Sequence, residues 1–240
     1  MAGIKSMRDF RSWNEDMGVK YNPDDYHERS PLPVKCIEKL RVKTILRLLD
    51  VGEDDMVLEI GCGAGNLMQA FNRGRLVGID LSAALLKKAG GKRYLTQYNL
   101  IQSYGEAVPF KGEVFDKIYC SEVLEHVVNP GDVCREASRV LKNHGLFVIS
   151  VPNEPFINMI KNIIYFLRID KILNSINRYK FSRDMTEEWH LHSFSLDYLK
   201  KSIECVFVIN KVRYIPNRLF PVRIVVRCFK KGENHESSSC

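Results

Sequence analysis

The feature that most restricts this chain is the run Glu59-Ile60-Gly61-Cys62-Gly63-Ala64-Gly65, which directly follows the apolar segment Met56-Val57-Leu58. Three alternating glycines at the end of a buried strand let the backbone turn sharply and pass close to a ligand without Cβ interference. The rest of the chain fits such a turn into an open α/β sheet. Apolar runs at 56–60, 75–79, 98–104, 115–121 and 145–151 read as buried strands, and the stretches 64–72, 82–89 and 131–142 between them as helices. Strands separated by helices predict a parallel sheet covered on both faces. After a helix near 195–204, two apolar runs at 206–214 and 222–229 flank Pro216-Asn217-Arg218. That is too little chain for a crossover helix, so the last two strands form an antiparallel hairpin. A helix at 33–49 leads into the sheet.

Composition narrows the class. With 240 residues, 45% of them hydrophobic, the chain buries an ordinary core and fits one domain with an insertion better than two domains. A net charge of +7 permits an anionic partner but equally describes an enzyme with surplus surface lysine. No nucleic-acid partner is expected. The seven cysteines are odd in number and form no Cys-x-x-Cys pair, which reads as free thiols in a reducing compartment. Residues 1–20 have no continuous apolar core, and no stretch reaches the roughly 18 apolar residues of a membrane span. The expected location is cytoplasmic, as a monomer or homodimer.

The glycine spacing also selects a ligand. A dinucleotide fingerprint needs Gly-x-Gly-x-x-Gly, and here the third glycine arrives one residue early, which weakens a pyrophosphate reading. Asp80 ends the second strand, placed to accept hydrogen bonds from ribose hydroxyls, or else to cap the helix beginning near Ser82. Gly105-Glu106-Ala107-Val108-Pro109-Phe110 follows the third strand, offering an acidic side chain and a backbone N–H to an adenine edge.

Together these segments closely resemble the class I S-adenosylmethionine-dependent methyltransferases over roughly residues 45 to 230. The resemblance implies a Rossmann-like, seven-stranded α/β sheet, mostly parallel with a C-terminal antiparallel hairpin. It implies S-adenosylmethionine as cofactor, leaving as S-adenosylhomocysteine. Glu59 would then support the turn, Gly61, Gly63 and Gly65 would pass the methionine moiety, Asp80 would take the ribose, and Glu106 with Ala107 the adenine. Cys62 in the turn, Leu81 beside Asp80 and Ser121 at the end of the fourth strand complete the cofactor candidates. The string Glu122-Val123-Leu124-Glu125-His126-Val127, with Asn129-Pro130 and Leu141-Lys142-Asn143-His144-Gly145, resembles the branch containing the ubiquinone-biosynthesis O-methyltransferases.

Glu122, Glu125 and His126 gather two carboxylates and an imidazole, which suit general-base work, a hard cation, or plain helix capping beside a packed histidine. No metal is assigned. In Glu187-Glu188-Trp189-His190-Leu191-His192-Ser193-Phe194, His190 and His192 share a side if the segment is extended, so both are candidates to line one pocket, against a bland reading as solvated loop residues. His126, His190 and His192 are therefore the catalytic candidates. Tyr21-Asn22-Pro23-Asp24-Asp25-Tyr26-His27 is a candidate lid.

Between the fifth strand and His190 lies an amphipathic stretch, 155–168. Phe156, Ile157, Met159, Ile160, Ile163, Ile164, Phe166 and Leu167 fall on about half of a helical circumference. Eight such side chains represent at most roughly 12 to 24 kcal/mol of burial, so a cover is expected: the enzyme's own body, a second subunit, or an apolar substrate or membrane surface. Peripheral membrane contact through 155–168 would suit the nearby Lys161, Arg168 and Lys171. The domain reading is a helical cap at 1–45, a core at 46–152, the insertion at 153–194, completion of the sheet at 195–231 and a disordered tail at 232–240. The functional expectation is methyl transfer to an oxygen of a small, lipid-like or quinol acceptor. The alternatives are N-methyl transfer to an amino sugar or natural-product intermediate and, more distantly, a non-catalytic binding module.

Overall fold

The computed structural model describes residues 7–20, 30–92, 98–168 and 189–232. The candidate lid at 21–27, most of the insertion beyond 168 and the tail beyond 232 lie outside the described residues. Strands β1 (Met56–Ile60), β2 (Arg75–Asp80), β3 (Asn99–Gln102), β4 (Phe115–Ser121), β5 (Leu141–Pro152), β6 (Phe207–Pro216) and β7 (Pro221–Lys230) form one sheet. Its order is β3-β2-β1-β4-β5-β7-β6. The first five are parallel; β7 runs antiparallel to β5, and β6 antiparallel to β7. The α/β sheet with a terminal hairpin expected from sequence is the one found.

Helices α1 (Met7–Lys20), α2 (Leu32–Leu49), α3 (Ala83–Gly90), α4 (Pro130–Val140), α5 (Glu154–Phe166) and α6 (Leu196–Ile203) surround it. Successive strand residues face opposite sides, so each strand feeds two cores. Leu58, Ile60, Ile118, Cys120, Phe147 and Ile149 pack beneath Val133, Ala137, Leu199 and Ile203 of α4 and α6. Val57, Tyr119, Val148 and Val225 pack on the other face with Ile45, Leu48 and Leu49 of α2. Burial on both faces explains why the strands read as continuous apolar runs rather than alternating ones.

Three local expectations change. The helix expected at 64–72 is only a single 3-10 turn at Met68–Ala70. Gly63 and Gly65 have positive φ, Leu67, Met68 and Phe71 are drawn into the α2-side core, and Lys92 Nζ ties down Ala64 O (2.8 Å) and Asn66 Oδ1 (2.6 Å). Tertiary packing thus outweighs an already weak helical run. Strand β3 is shorter than the apolar run, and β5 begins at Leu141 instead of 145, taking over residues expected to end α4. Cys36, Cys62, Cys120, Cys134 and Cys228 are free thiols. Among the described residues no helix is long and apolar enough to cross a membrane.

Candidate active site

The chain leaves β1 through a turn that other strands hold in place. Gly61 N and Cys62 N both donate to Ile79 O of β2, at 2.8 and 2.9 Å. Gly61, Gly63 and Gly65 have φ of 74°, 50° and 73°, the left-handed region that favours glycine. At Gly61 there is a second reason, since a Cβ there would lie 2.3 Å from Val123 Cγ2. Asp80 locks the turn to β2: Oδ2 accepts from Gly63 N at 2.7 Å and Oδ1 from Ser82 N at 2.8 Å. Ser82 itself caps α3, its Oγ accepting from Leu85 N, so Asp80 is not spent as the helix cap. Burial raises the Asp80 carboxyl above its ordinary pKa, while the backbone N–H donors pull it down.

A cavity of about 150 Å³ follows this edge of the sheet. Of the candidate residues, Gly61, Gly63, Asp80, Leu81, Glu106 and His126 line it. Burial also raises Glu106, and its Oε1 is buried without a hydrogen-bond partner, an acceptor awaiting a donor. The remaining cofactor candidates lie outside the lining. Glu59 stands behind the turn, its Oε2 accepting from Tyr119 OH at 2.9 Å, and burial pushes its carboxyl well upward. The Cys62 thiol points into the α2-side core, where a Cβ added to Gly78 would meet its Sγ at 2.8 Å. Gly65 N and Ala107 N donate to Cys62 O and Tyr104 O within their own turns, and Ser121 Oγ joins Arg41 and Ser150 instead.

At the other end, the turn after β4 docks on the segment beginning at Trp189: Leu191 N donates to Glu125 O at 2.7 Å and His192 N to the same oxygen at 3.3 Å. This brings together two histidine segments far apart in sequence. His126 Nδ1 bonds the Trp189 carbonyl at 3.1 Å; a carbonyl only accepts, so Nδ1 carries the proton and Nε2 keeps a lone pair. Burial, with His190 nearby, pushes His126 down to about 3. Its ring lies 4.5 Å from that of Trp189 and 4.9 Å from that of His190. His190 Nδ1 sits 2.5 Å from Glu154 Oε1, outside the lining but behind His126. His192 is spent on structure: Nε2 meets Val127 O and Val128 O at 3.0 and 3.2 Å, and Nδ1 meets Tyr198 OH at 3.1 Å. The shared pocket for His190 and His192 is therefore not found, because the segment turns at Leu191 to dock on Glu125.

One ligand atom each from Glu125, His126 and His190 lies within 4.8 Å of the others, a set able to hold a divalent cation. Glu125 is buried, Oε2 has no hydrogen-bond partner, and burial followed by the charge of Glu122 pushes it well upward. Glu122 is not in this set; it faces the cavity. The sequence reading also missed Trp189 and the roof of the cavity, Phe10, Asn14 and Gly18 of α1. The tryptophan preceding His190 was a usable signal; a helical cap was expected at 1–45, but no local pattern pointed Phe10, Asn14 and Gly18 of α1 at the cavity. That helix is held down by Glu15 Oε1, which accepts from Ala84 N at 2.8 Å, and by the buried Phe10.

Residues 58–149 match a family model described as a methyltransferase domain. An uncharacterized protein of Methanocaldococcus jannaschii is 33% identical over 159 residues, covering 62% of this chain and 58% of that protein. A ubiquinone biosynthesis O-methyltransferase of Serratia proteamaculans is 30% identical over 129 residues, half of this chain and 52% of that one. The chain thus spans a little over half the length of these relatives. Among solved structures, a SAM-dependent methyltransferase of Thermotoga maritima has a TM-score of 0.62 at 15% identity, covering 92% of this chain and all of that one, which is a likeness of fold. The buried acceptor of Glu106, the glycine turn and Asp80 suit an adenosine-bearing ligand. The family match covers residues 58–149, the part of the chain that carries this turn and the strands framing it, so that segment is similar to a methyltransferase domain.

Proposed function

We propose that this protein transfers a methyl group from S-adenosylmethionine to a hydroxyl oxygen of a small, apolar acceptor of quinol or lipid-like character. The observation that carries this reading is His126, a buried imidazole that lines the same cavity as Glu106 and whose Nε2, 4.0 Å from Glu125 Oε1, keeps its lone pair. The bound cofactor supplies an electrophilic methyl group, so the protein mainly aligns the acceptor and excludes water. In the transfer the carbon–oxygen bond would form as the cofactor's carbon–sulfur bond breaks, the neutral thioether leaving, and Nε2 would accept the acceptor hydroxyl's hydrogen bond and take its proton. A weak base suffices, because that proton becomes strongly acidic as the oxygen is alkylated. The Trp189 ring beside His126 offers an apolar wall. The names of the ubiquinone O-methyltransferase relatives support the acceptor class.

Two elements join this proposal. The α1 helix acts as the cap: about 150 Å³ is less than the roughly 300 Å³ of ordinary ligand sites, so the cofactor enters by lifting it. The α5 face acts as a peripheral docking surface for the apolar acceptor's membrane. Screening methyl transfer from labelled cofactor over quinol, phenolic, lipid and amino-sugar acceptors tests the reading. Turnover of a hydroxyl acceptor that drops at least about a hundredfold in His126→Gln is expected, the scale of general-base removal. Turnover restricted to amines, or an unaffected variant, overturns it.

A further inference from the structure

Ser121 and Glu122 belong to a closed polar ring that the methyl-transfer reading does not use. Glu122 Oε2 pairs with Arg223 Nε of β7 at 2.7 Å, and Oε1 accepts from Ser150 Oγ at 3.0 Å. Arg223 Nη2 reaches Glu38 Oε1 of α2 at 3.8 Å. Glu38 Oε2 accepts from Arg41 Nε and Nη2 at 2.9 and 2.6 Å, and Arg41 Nη1 returns to Ser121 Oγ. Ser121 and Ser150 close the circle at 2.9 Å. Glu38, Arg41 and Ser150 are buried, and Glu122 stands on left-handed backbone at φ 57°. Buried ion pairs rarely add stability over an apolar packing of the same shape, so a ring tied to one strained carboxylate points to a position that must be kept.

That position follows from the order of strands. Glu106 lies beyond β3, Asp80 tips β2, Gly61 leaves β1, and Glu122 leaves β4, all lining one cavity across neighbouring strands. Strands are spaced by about 5 Å. A cofactor held with its adenine at Glu106 and its ribose at Asp80 would bring its sulfonium toward Glu122, the acidic side chain next along the cavity. Val123, next to Glu122, already touches Gly61. We propose that Glu122 is the counter-charge for the cofactor's sulfonium, and that Arg223 of the terminal hairpin, backed by Glu38 and Arg41, is a positioning residue that aims it. The carboxylate then attracts the cationic methyl donor and not the neutral thioether left after transfer, which favours exchange of product for fresh cofactor. This rests on the cofactor lying along the cavity as described.

Because the carboxylate favours the charged ground state, and the charge fades as the methyl group leaves, Glu122 acts on cofactor binding more than on the chemical step. Calorimetry on Glu122→Gln tests this, since the amide keeps the shape and the Ser150 contact. Affinity for S-adenosylmethionine is expected to fall about tenfold, as for one charge pair within a few ångströms at a protein surface, while that for S-adenosylhomocysteine stays within about twofold. In turnover, KM for the donor rises and kcat does not fall. Arg223→Gln is expected to lose the same preference, and Glu122→Gln/Arg223→Gln to lose no more than Glu122→Gln alone. Equal weakening of both ligands in Glu122→Gln, or an unchanged ratio, overturns the counter-charge; an unchanged ratio in Arg223→Gln overturns the positioning role. Failure of the underlying placement shows separately, as an Asp80→Ala variant that binds both ligands like the parent.

Discussion

At the residue scale, the site depends on a few side chains whose surroundings, more than their identity, set their properties. Asp80 already bonds two backbone N–H groups, yet a carboxylate has further lone pairs to offer a ribose. Asp80→Ala is expected to cost about 1 to 3 kcal/mol of cofactor affinity by calorimetry. Gly61→Ala meets a left-handed φ and the Val123 side chain together, and is expected to destabilise by about 2 to 4 kcal/mol in urea melts, with Val123→Ala restoring part. His126, lowered to about 3, is neutral in the folded protein where an unfolded chain's histidine near 6.5 takes a proton. The unfolded state binds that proton between these values, so this contribution to stability is full above pH 6.5 and is lost as pH falls toward 3. Its slope reaches about 1.4 kcal/mol per pH unit. Glu125 and Glu59, raised by burial, slope the opposite way, so the comparison of parent with His126→Gln isolates the histidine. Denaturant melts across pH 6.5 to 4 should fall less steeply in the variant. The same low value predicts a rate profile with no acid limb near 6.5 from this group.

At the scale of elements, α5 departs most from what its sequence suggests. The apolar half-circumference splits: Phe156, Ile157, Ile160 and Ile164 are half-buried, with Phe156 against Phe220, while Met159, Ile163, Phe166 and Leu167 are exposed. Phe166 is 86% exposed. No cover for that outer stripe is provided by the described residues. If it meets a membrane, Met159→Asp, Ile163→Asp and Phe166→Asp together abolish cosedimentation with anionic liposomes and leave the melting temperature unchanged. Equal sedimentation of the variant removes the membrane role. The exposed positions are the right ones to change, a choice that periodicity alone did not offer. Helix α1 teaches the converse, since a polar segment with one buried phenylalanine becomes the roof of the cavity only by packing on α3.

At the scale of the whole molecule, the terminal hairpin completes both the sheet and the site. β7 covers the edge of β5 along seven residue pairs and delivers Arg223 to the ring below the cavity. A chain ending at residue 205 keeps the turn, Asp80, Glu106 and His126 but exposes a long apolar edge strand, and is expected to aggregate by light scattering where the full chain does not. The cavity likewise exists only in the assembled fold, with walls from four strand tips and a roof from the first helix.

The sheet was legible in the sequence, because buried parallel strands must be apolar throughout and glycine lets the chain turn at a strand tip. The proposed cofactor face was legible for the same reason: Gly61, Gly63, Asp80 and Glu106 lie at or just beyond the ends of β1, β2 and β3, each readable from its own neighbours. The proposed catalytic end was not local. His126 and Trp189 meet through backbone bonds to Glu125, His192 is diverted to carbonyls, Ser121 to Arg41, and Arg223 reaches Glu122 from a distant strand. Which of several equally plausible side chains faces the cavity was decided by tertiary packing, because burial and hydrogen-bond partners are supplied by segments that no local pattern connects.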